Sequence, residues 1–473
     1  MNSDILLALI LDLLVVSAST FILLRHGRLA QSHPATIYLF FHLYTFTLRL
    51  VGLSLGAETL FSGWSGSYSP VQYSEIIWAA RIGDLALIVM VVAWVKAAHD
   101  YYVKGKGLYQ DAERNLTKEA RAVAMLLLLR RALDPNSGVL TQLKKSQSQN
   151  LSLFHIWRVA GVALPIGLVG LLSLSQVPGV ENNVNLGNWQ SSSYISITQT
   201  WIGLALVALI YWYGFRWWLM SPMILYLAIM SIQGYSRFRV FIPVILLVQI
   251  YLDRHKMKWP PTPVLLILLT LVLLFYPLKS IGLMVNQGAP LSKIASSSLT
   301  VTREALSGEH GDQQFLDQFA SALTLIDKKG KFYYGRTYLA LLTLPIPRQW
   351  WPGKPGLVDH LKDFSTPSRP MAATGMIVTF LGESYINFGY IGIICISFLI
   401  AYWLARVYFS AYRRNYFSIE RFFYLIVACN LIQVFRDGLL SIVIFTMVNM
   451  LPLMLIVLLH YLLPIKKSSW QAR

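Results

Sequence analysis

Residues 388–410, FGYIGIICISFLIAYWLARVYFS, carry a single charge, Arg406. A helix of about 20 mostly apolar residues is what crosses the hydrocarbon of a bilayer. Working outward, comparable runs lie near 3–24, 35–56, 76–98, 156–175, 195–213, 217–234, 238–252, 263–281, 421–439 and 440–462. The pattern predicts an all-α, polytopic integral membrane protein of about eleven transmembrane helices, with 1–473 forming one membrane domain. No internal repeat divides it.

Composition agrees. The 473 residues are 55% hydrophobic and 13% charged, against about 45–50% and about 25% in soluble domains. That excludes a disordered chain and argues against a soluble one. Forty Lys and Arg against 22 Asp and Glu leave a formal charge of +18, which in a soluble chain would point to nucleic acid. Here it reads first as topology. Taking Arg25 and Arg28 as cytoplasmic puts the N-terminus outside. Residues 57–75 and 176–194, without Lys or Arg, then fall outside, while 99–155, Arg216, 253–258, 406–421 and 466–473 fall inside, with the C-terminus. No nucleic-acid partner is needed. The first run lacks a basic leader, so it reads as a span rather than a cleaved signal. Cys395 and Cys429 lie in apolar runs and offer neither a disulfide framework nor a thiolate metal site.

Two segments are not spans. Residues 99–155 form a basic cytoplasmic loop with an amphipathic helix expected over 117–133, suited to an anionic leaflet. Residues 282–387 form a large extracytoplasmic (periplasmic) loop with short helices. This loop carries Lys293, Arg303, Lys328, Lys329, Lys331, Arg336, Arg348, Lys354, Lys362 and Arg369, and Arg237, Arg239 and Arg436 sit at outward helix ends. Basic residues on that side oppose the usual orientation bias, so a ligand there is expected to need them. The guanidinium fork suits phosphate oxygens, and converging arginines would clamp a pyrophosphate. Taken singly, Arg237 and Arg239 could snorkel to headgroups and Arg436 could pair with Asp437.

Other chemistry is sparse. Glu309, His310 and Asp312 lack metal-ligand spacing and read as a solvated loop. No nucleotide-binding fingerprint appears, so neither metal nor cofactor is expected. Within the spans stand His42, Arg49, Arg81 and Asp84. Arg81 and Asp84, three apart, share a helix face and are expected to pair; such groups also keep a proton-coupled transporter in view.

The densest stretches are Gly335-Arg336-Thr337-Tyr338, Ile346-Pro347-Arg348-Gln349-Trp350-Trp351-Pro352-Gly353-Lys354-Pro355, Gly382-Glu383-Ser384-Tyr385-Ile386-Asn387-Phe388-Gly389 and Arg436-Asp437-Gly438. Tryptophan at a membrane surface anchors at headgroup depth, and aromatic faces stack on sugars. Together these segments resemble the oligosaccharide repeat unit polymerases, the Wzy or O-antigen polymerase family, whose neighbours are the O-antigen ligases. The resemblance covers about 335–438.

The resemblance implies a bacterial inner-membrane glycosyltransferase of GT-C type. It would use an undecaprenyl-pyrophosphate-linked glycan as donor and a second lipid-linked repeat unit as acceptor. It needs no metal or cofactor, and a flippase and a chain-length regulator are the implied partners. For such chemistry Glu383, or else His360, is the candidate base. Arg237, Arg239, Arg336, Arg348, Lys354 and Arg436 are candidates for the pyrophosphate, and Trp350, Trp351 and Tyr385 for the sugar. A ligase-like transferase and a polysaccharide or lipid transporter are the alternatives.

Overall fold

The computed structural model describes residues 3–27, 29–60, 62, 69–101, 153–174, 198–233, 238–266, 281, 284, 288–307, 314–343, 346, 350–351, 366–367, 378–413, 419–439 and 446–462. Among them the chain is helical, with no β-strand. Four helices have the length and apolarity to cross a membrane: α1 (Ser3–Gly27), α2 (Pro34–Ser54), α3 (Tyr73–Tyr101) and the apolar part of α11 (Thr379–Arg413). The others are α4 (Leu153–Leu174), α5 (Thr200–Tyr213), α6 (Trp217–Gln233), α7 (Phe238–Arg254), α8 (Leu291–Ser307), α9 (Phe315–Lys329), α10 (Arg336–Thr343), α12 (Ile419–Asp437) and α13 (Val448–Leu462). Leu14, Phe21, Val169, Leu172, Ile391 and Trp403 all point outward. Apolar surface of that kind is what lipid, rather than water, accepts. The helix expected over 117–133 and most of the run 263–281 lie outside the described residues.

α2 shows how local sequence sets the bundle. His33 Nδ1 accepts the Ala35 N–H at 3.1 Å, and Pro34 occupies the first turn, where its missing N–H costs nothing. Burial pushes the His33 imidazole down to about 3, so it remains a neutral acceptor. Midway, Leu43–Thr47 widen into a π turn, with the Leu48 N–H reaching the Leu43 carbonyl. Side chains five apart, His42 and Thr47, then come onto one face.

α12 divides the interior. Tyr424, Ala428, Leu431 and Phe435, spaced three and four apart, enter a core built with α1, α2, α3, α9 and α11. Its Phe422, Leu425, Ile426 and Cys429 enter a second core with α4, α5, α6, α7 and α13. Near the N-terminal end of α11, Gly389 adopts φ 60°, ψ −143° and breaks the helix. A short segment carrying Glu383 is thereby set off from the long apolar run that begins at Tyr390.

α9, inside the segment read as an outer loop, is part of the first core. Leu316, Phe319, Ala320, Leu323 and Ile326 are buried at helical spacing. Asp317 opens the helix, Lys328 and Lys329 close it, and the Gly330 N–H caps the Ile326 and Asp327 carbonyls. Asp317 accepts from Arg49 Nε at 2.9 Å and Nη2 at 2.7 Å, and from the Leu60 N–H at 2.9 Å. Arg49 Nη2 also donates to the Glu58 carbonyl at 2.7 Å. Arg49 is 1% exposed and Asp317 0%.

Removing one partner strands the other charge in the core, which costs about 3–5 kcal/mol, whereas replacing both with apolar groups can be close to neutral. Arg49→Met and Asp317→Leu should each lower the unfolding temperature in detergent, followed by tryptophan fluorescence. The double variant should recover most of the loss; additive losses would show that the pair is not coupled.

Candidate functional site

The chain leaves α9 at Gly330 and runs beside the turn that ends the short segment of α11. The Tyr333 N–H donates to the Ile386 carbonyl and the Tyr334 N–H to the Asn387 carbonyl, each at 3.0 Å. At Tyr334 and Gly335 the backbone takes positive φ, 46° and 86°, and turns into α10. Asn387 holds this junction with both ends of its amide. Nδ2 donates to Thr337 Oγ1 at 2.5 Å and to the Glu383 carbonyl at 2.8 Å, while Oδ1 accepts the Gly335 N–H at 2.9 Å.

Glu383 sits where α10, α11 and the end of α12 meet. Its Oε2 accepts the Leu439 N–H at 2.7 Å, and its Oε1 faces the Thr337 hydroxyl at 3.5 Å. With Thr337 accepting from Asn387, a relay runs from amide to hydroxyl to carboxylate. The approach of α12 depends on Gly438: a Cβ there would lie 2.5 Å from Glu383 Oε2, and its φ is +91°. The Tyr338 hydroxyl lies 3.4 Å from Ser384 Oγ, and its ring stacks on Phe388. Burial, with the Glu383 charge beside it, pushes the Tyr338 phenol well up, so it serves as a neutral donor.

Three of the four segments singled out by sequence therefore converge: 335–338, 382–389 and 436–438, the last through the Leu439 N–H that follows it. Arg336 opens α10 exposed to solvent, next to Thr337. Arg436 lies two residues before Gly438, with its guanidinium 5.0 Å above the Phe315 ring and its Nε 3.6 Å from Asp437. Arg239, half-buried, is the second residue of α7, which packs against α5, α6 and α12. Trp350 and Trp351 are 81% and 41% exposed. Tyr385 is 3% exposed, its ring packed among Trp78, Phe332 and Tyr390. Arg237, Arg348, Lys354 and His360 lie outside the described residues.

The reading by sequence gave no role to Asn387 or Thr337, although both stand in the quoted segments. It also passed over Asp12 and Asp317. An acid in the middle of the first apolar run was the available signal, because charge in a span is costly unless paired. Arg81 and Asp84 do pair, Nη1 to Oδ2 at 2.7 Å.

No family model, curated protein or solved structure matches the chain.

Gly438→Ala should destabilise the protein, since a non-glycine residue at this φ costs about 1–3 kcal/mol and the new methyl also strikes the carboxylate. Thermal unfolding of Gly438→Ala and of Gly438→Ala with Glu383→Ala checks this. The double variant should regain the part due to the clash and keep the backbone part; no difference between the two would place the carboxylate elsewhere.

Proposed function

We propose that the protein is a membrane glycosyltransferase that polymerises undecaprenyl-pyrophosphate-linked oligosaccharide repeat units on the outer side of the bacterial inner membrane. About eleven spans, the N-terminus outside and the C-terminus in the cytoplasm complete the reading. What carries it is the meeting of residues 335–338, 382–389 and 436–439 around one carboxylate, Glu383, beside two arginine-bearing helix ends.

In this reading an acceptor sugar hydroxyl attacks the anomeric carbon of the donor. The new C–O bond forms as the bond to the pyrophosphate oxygen breaks, through an oxocarbenium-like state. Glu383 takes the hydroxyl proton, and the lipid pyrophosphate leaves with the bonding pair. A carboxylate pinned by a backbone N–H and a threonine hydroxyl is held in place before substrate arrives, which is what a positioned base requires. Pyrophosphate needs cations for its developing charge more than it needs a proton donor. Arg336 and Arg436 serve this role at the junction, with Arg237, Arg239, Arg348 and Lys354 completing the set. The exposed faces of Trp350 and Trp351 suit sugar stacking. The step uses no metal and no cofactor.

Purified protein incubated with a lipid-pyrophosphate-linked repeat unit should give a ladder of glycans spaced by one repeat. Glu383→Gln should abolish it. Arg336→Ala and Arg436→Ala should each slow it about 100- to 1,000-fold, by comparison with loss of an oxyanion-hole donor. Losses under threefold for every arginine of the set would remove the clamp from the mechanism. A single transfer to a different lipid acceptor would indicate a ligase, and no product from folded protein and intact substrate would reject the reaction.

A further inference from the structure

Away from Glu383, three ionisable side chains from three helices meet inside the bundle: Asp12 of α1, His42 of α2 and Asp84 of α3. They are 0%, 0% and 5% exposed. His42 Nε2 lies 2.9 Å from Asp12 Oδ1 and 3.7 Å from Asp84 Oδ1. One ligand atom from each residue lies within 4.8 Å of the other two.

The arrangement is more than a group of acids. Each carboxylate gives one oxygen to an outer donor and keeps the other toward the imidazole. Asp12 Oδ2 accepts from Thr47 Oγ1 at 2.5 Å, and Asp84 Oδ2 accepts from Arg81 Nη1 at 2.7 Å. Arg81 is itself fixed by a second bond, Nη2 to the Ala8 carbonyl at 3.1 Å. Metal-binding carboxylates are held by outer-sphere partners in this way, which orient the liganding oxygen. The π turn over Leu43–Thr47 lets one helix supply both His42 and Thr47, and π turns recur at functional sites.

One atom stands out. Asp84 Oδ1 is buried, accepts from no N–H or O–H donor, and lies 3.7 Å from His42 Nε2, with the Asp84 carboxyl beside that of Asp12. A buried carboxylate oxygen without a donor is costly unless a cation meets it. His42 Nδ1 is also buried without a partner. Two carboxylates here meet one guanidinium, that of Arg81.

We propose that Asp12, His42 and Asp84 form a binding site for a divalent transition metal ion, of the zinc or manganese class, that braces α1, α2 and α3. Two carboxylate oxygens and one imidazole nitrogen are a donor set such ions accept, whereas magnesium and calcium prefer oxygen alone. Coordination by Nε2 would leave the ring proton on Nδ1. The three residues belong to α1, α2 and α3, whereas Glu383 belongs to α11. The proposal does not rest on the activity assigned to Glu383.

The test uses full-length protein in detergent, stripped with a chelator, exposed separately to Zn2+, Mn2+ and Mg2+, desalted and measured by plasma mass spectrometry. The expected result is about one zinc or manganese ion per chain, magnesium at background, and at least a fivefold lower content in folded Asp84→Asn and His42→Gln. If either variant fails to fold, X-ray absorption of the loaded wild type decides, with outer-shell scattering from one imidazole expected. Background metal in the wild type would overturn the proposal and assign the missing charge to a proton. Undiminished content in the variants, or a shell without imidazole, would overturn it as well.

Discussion

The fork between Arg49 and Asp317 is the constraint on which the placement of α9, and of the segments that follow it, rests. A guanidinium in a mostly apolar helix cannot be left without a counter-charge, and the carboxylate that meets it belongs to α9, far along the chain. The fork is bidentate and receives further bonds from the backbone at Glu58 and Leu60. α9 is thereby fixed in the first core, and Gly330 then releases the chain at one defined place. From there the extended residues reach the Ile386 and Asn387 carbonyls, and Asn387 in turn sets Thr337 and Glu383. The position of the Glu383 carboxylate thus traces back to an ion pair buried elsewhere in the bundle.

The site itself is made from backbone as much as from side chains. The Leu439 N–H, the Gly335 N–H and the Glu383 carbonyl all take part. Such groups keep their geometry when side chains rearrange, so the carboxylate is held in one place by the fold itself. The surrounding aromatic rings, Tyr338 on Phe388 and Tyr385 among Trp78, Phe332 and Tyr390, fill the space behind it.

Much of this was readable before any coordinates. Apolar runs of about 20 residues announce themselves by composition, and ten described helices, α1–α7 and α11–α13, overlap runs assigned to them, four of them long and apolar enough to cross a membrane. Arg81 and Asp84 paired because three residues along a regular helix is a fixed geometry. The segments around residues 335, 383 and 437 were singled out as dense in glycine, aromatics and charge, and they proved to be neighbours. The fork was not readable, because nothing local to Arg49 points to Asp317. His42 and Thr47 shared a partner through a π turn, which no 3.6-residue periodicity anticipates. α9 was read as part of an outer loop because its buried face is short and its ends are charged, and its burial depends on the fork.

α12 has apolar contacts on both of its faces and ends at Gly438. A wall common to two rooms cannot be shifted for one of them alone. Any tilt or axial slide imposed on this helix by the α4–α7 side is shared with the α1–α3 side, and it arrives at the helix end as a displacement of the Leu439 N–H. That N–H donates to Glu383 Oε2 at 2.7 Å, so the second core bears on the carboxylate through the helix backbone, with no side chain from it among the described contacts.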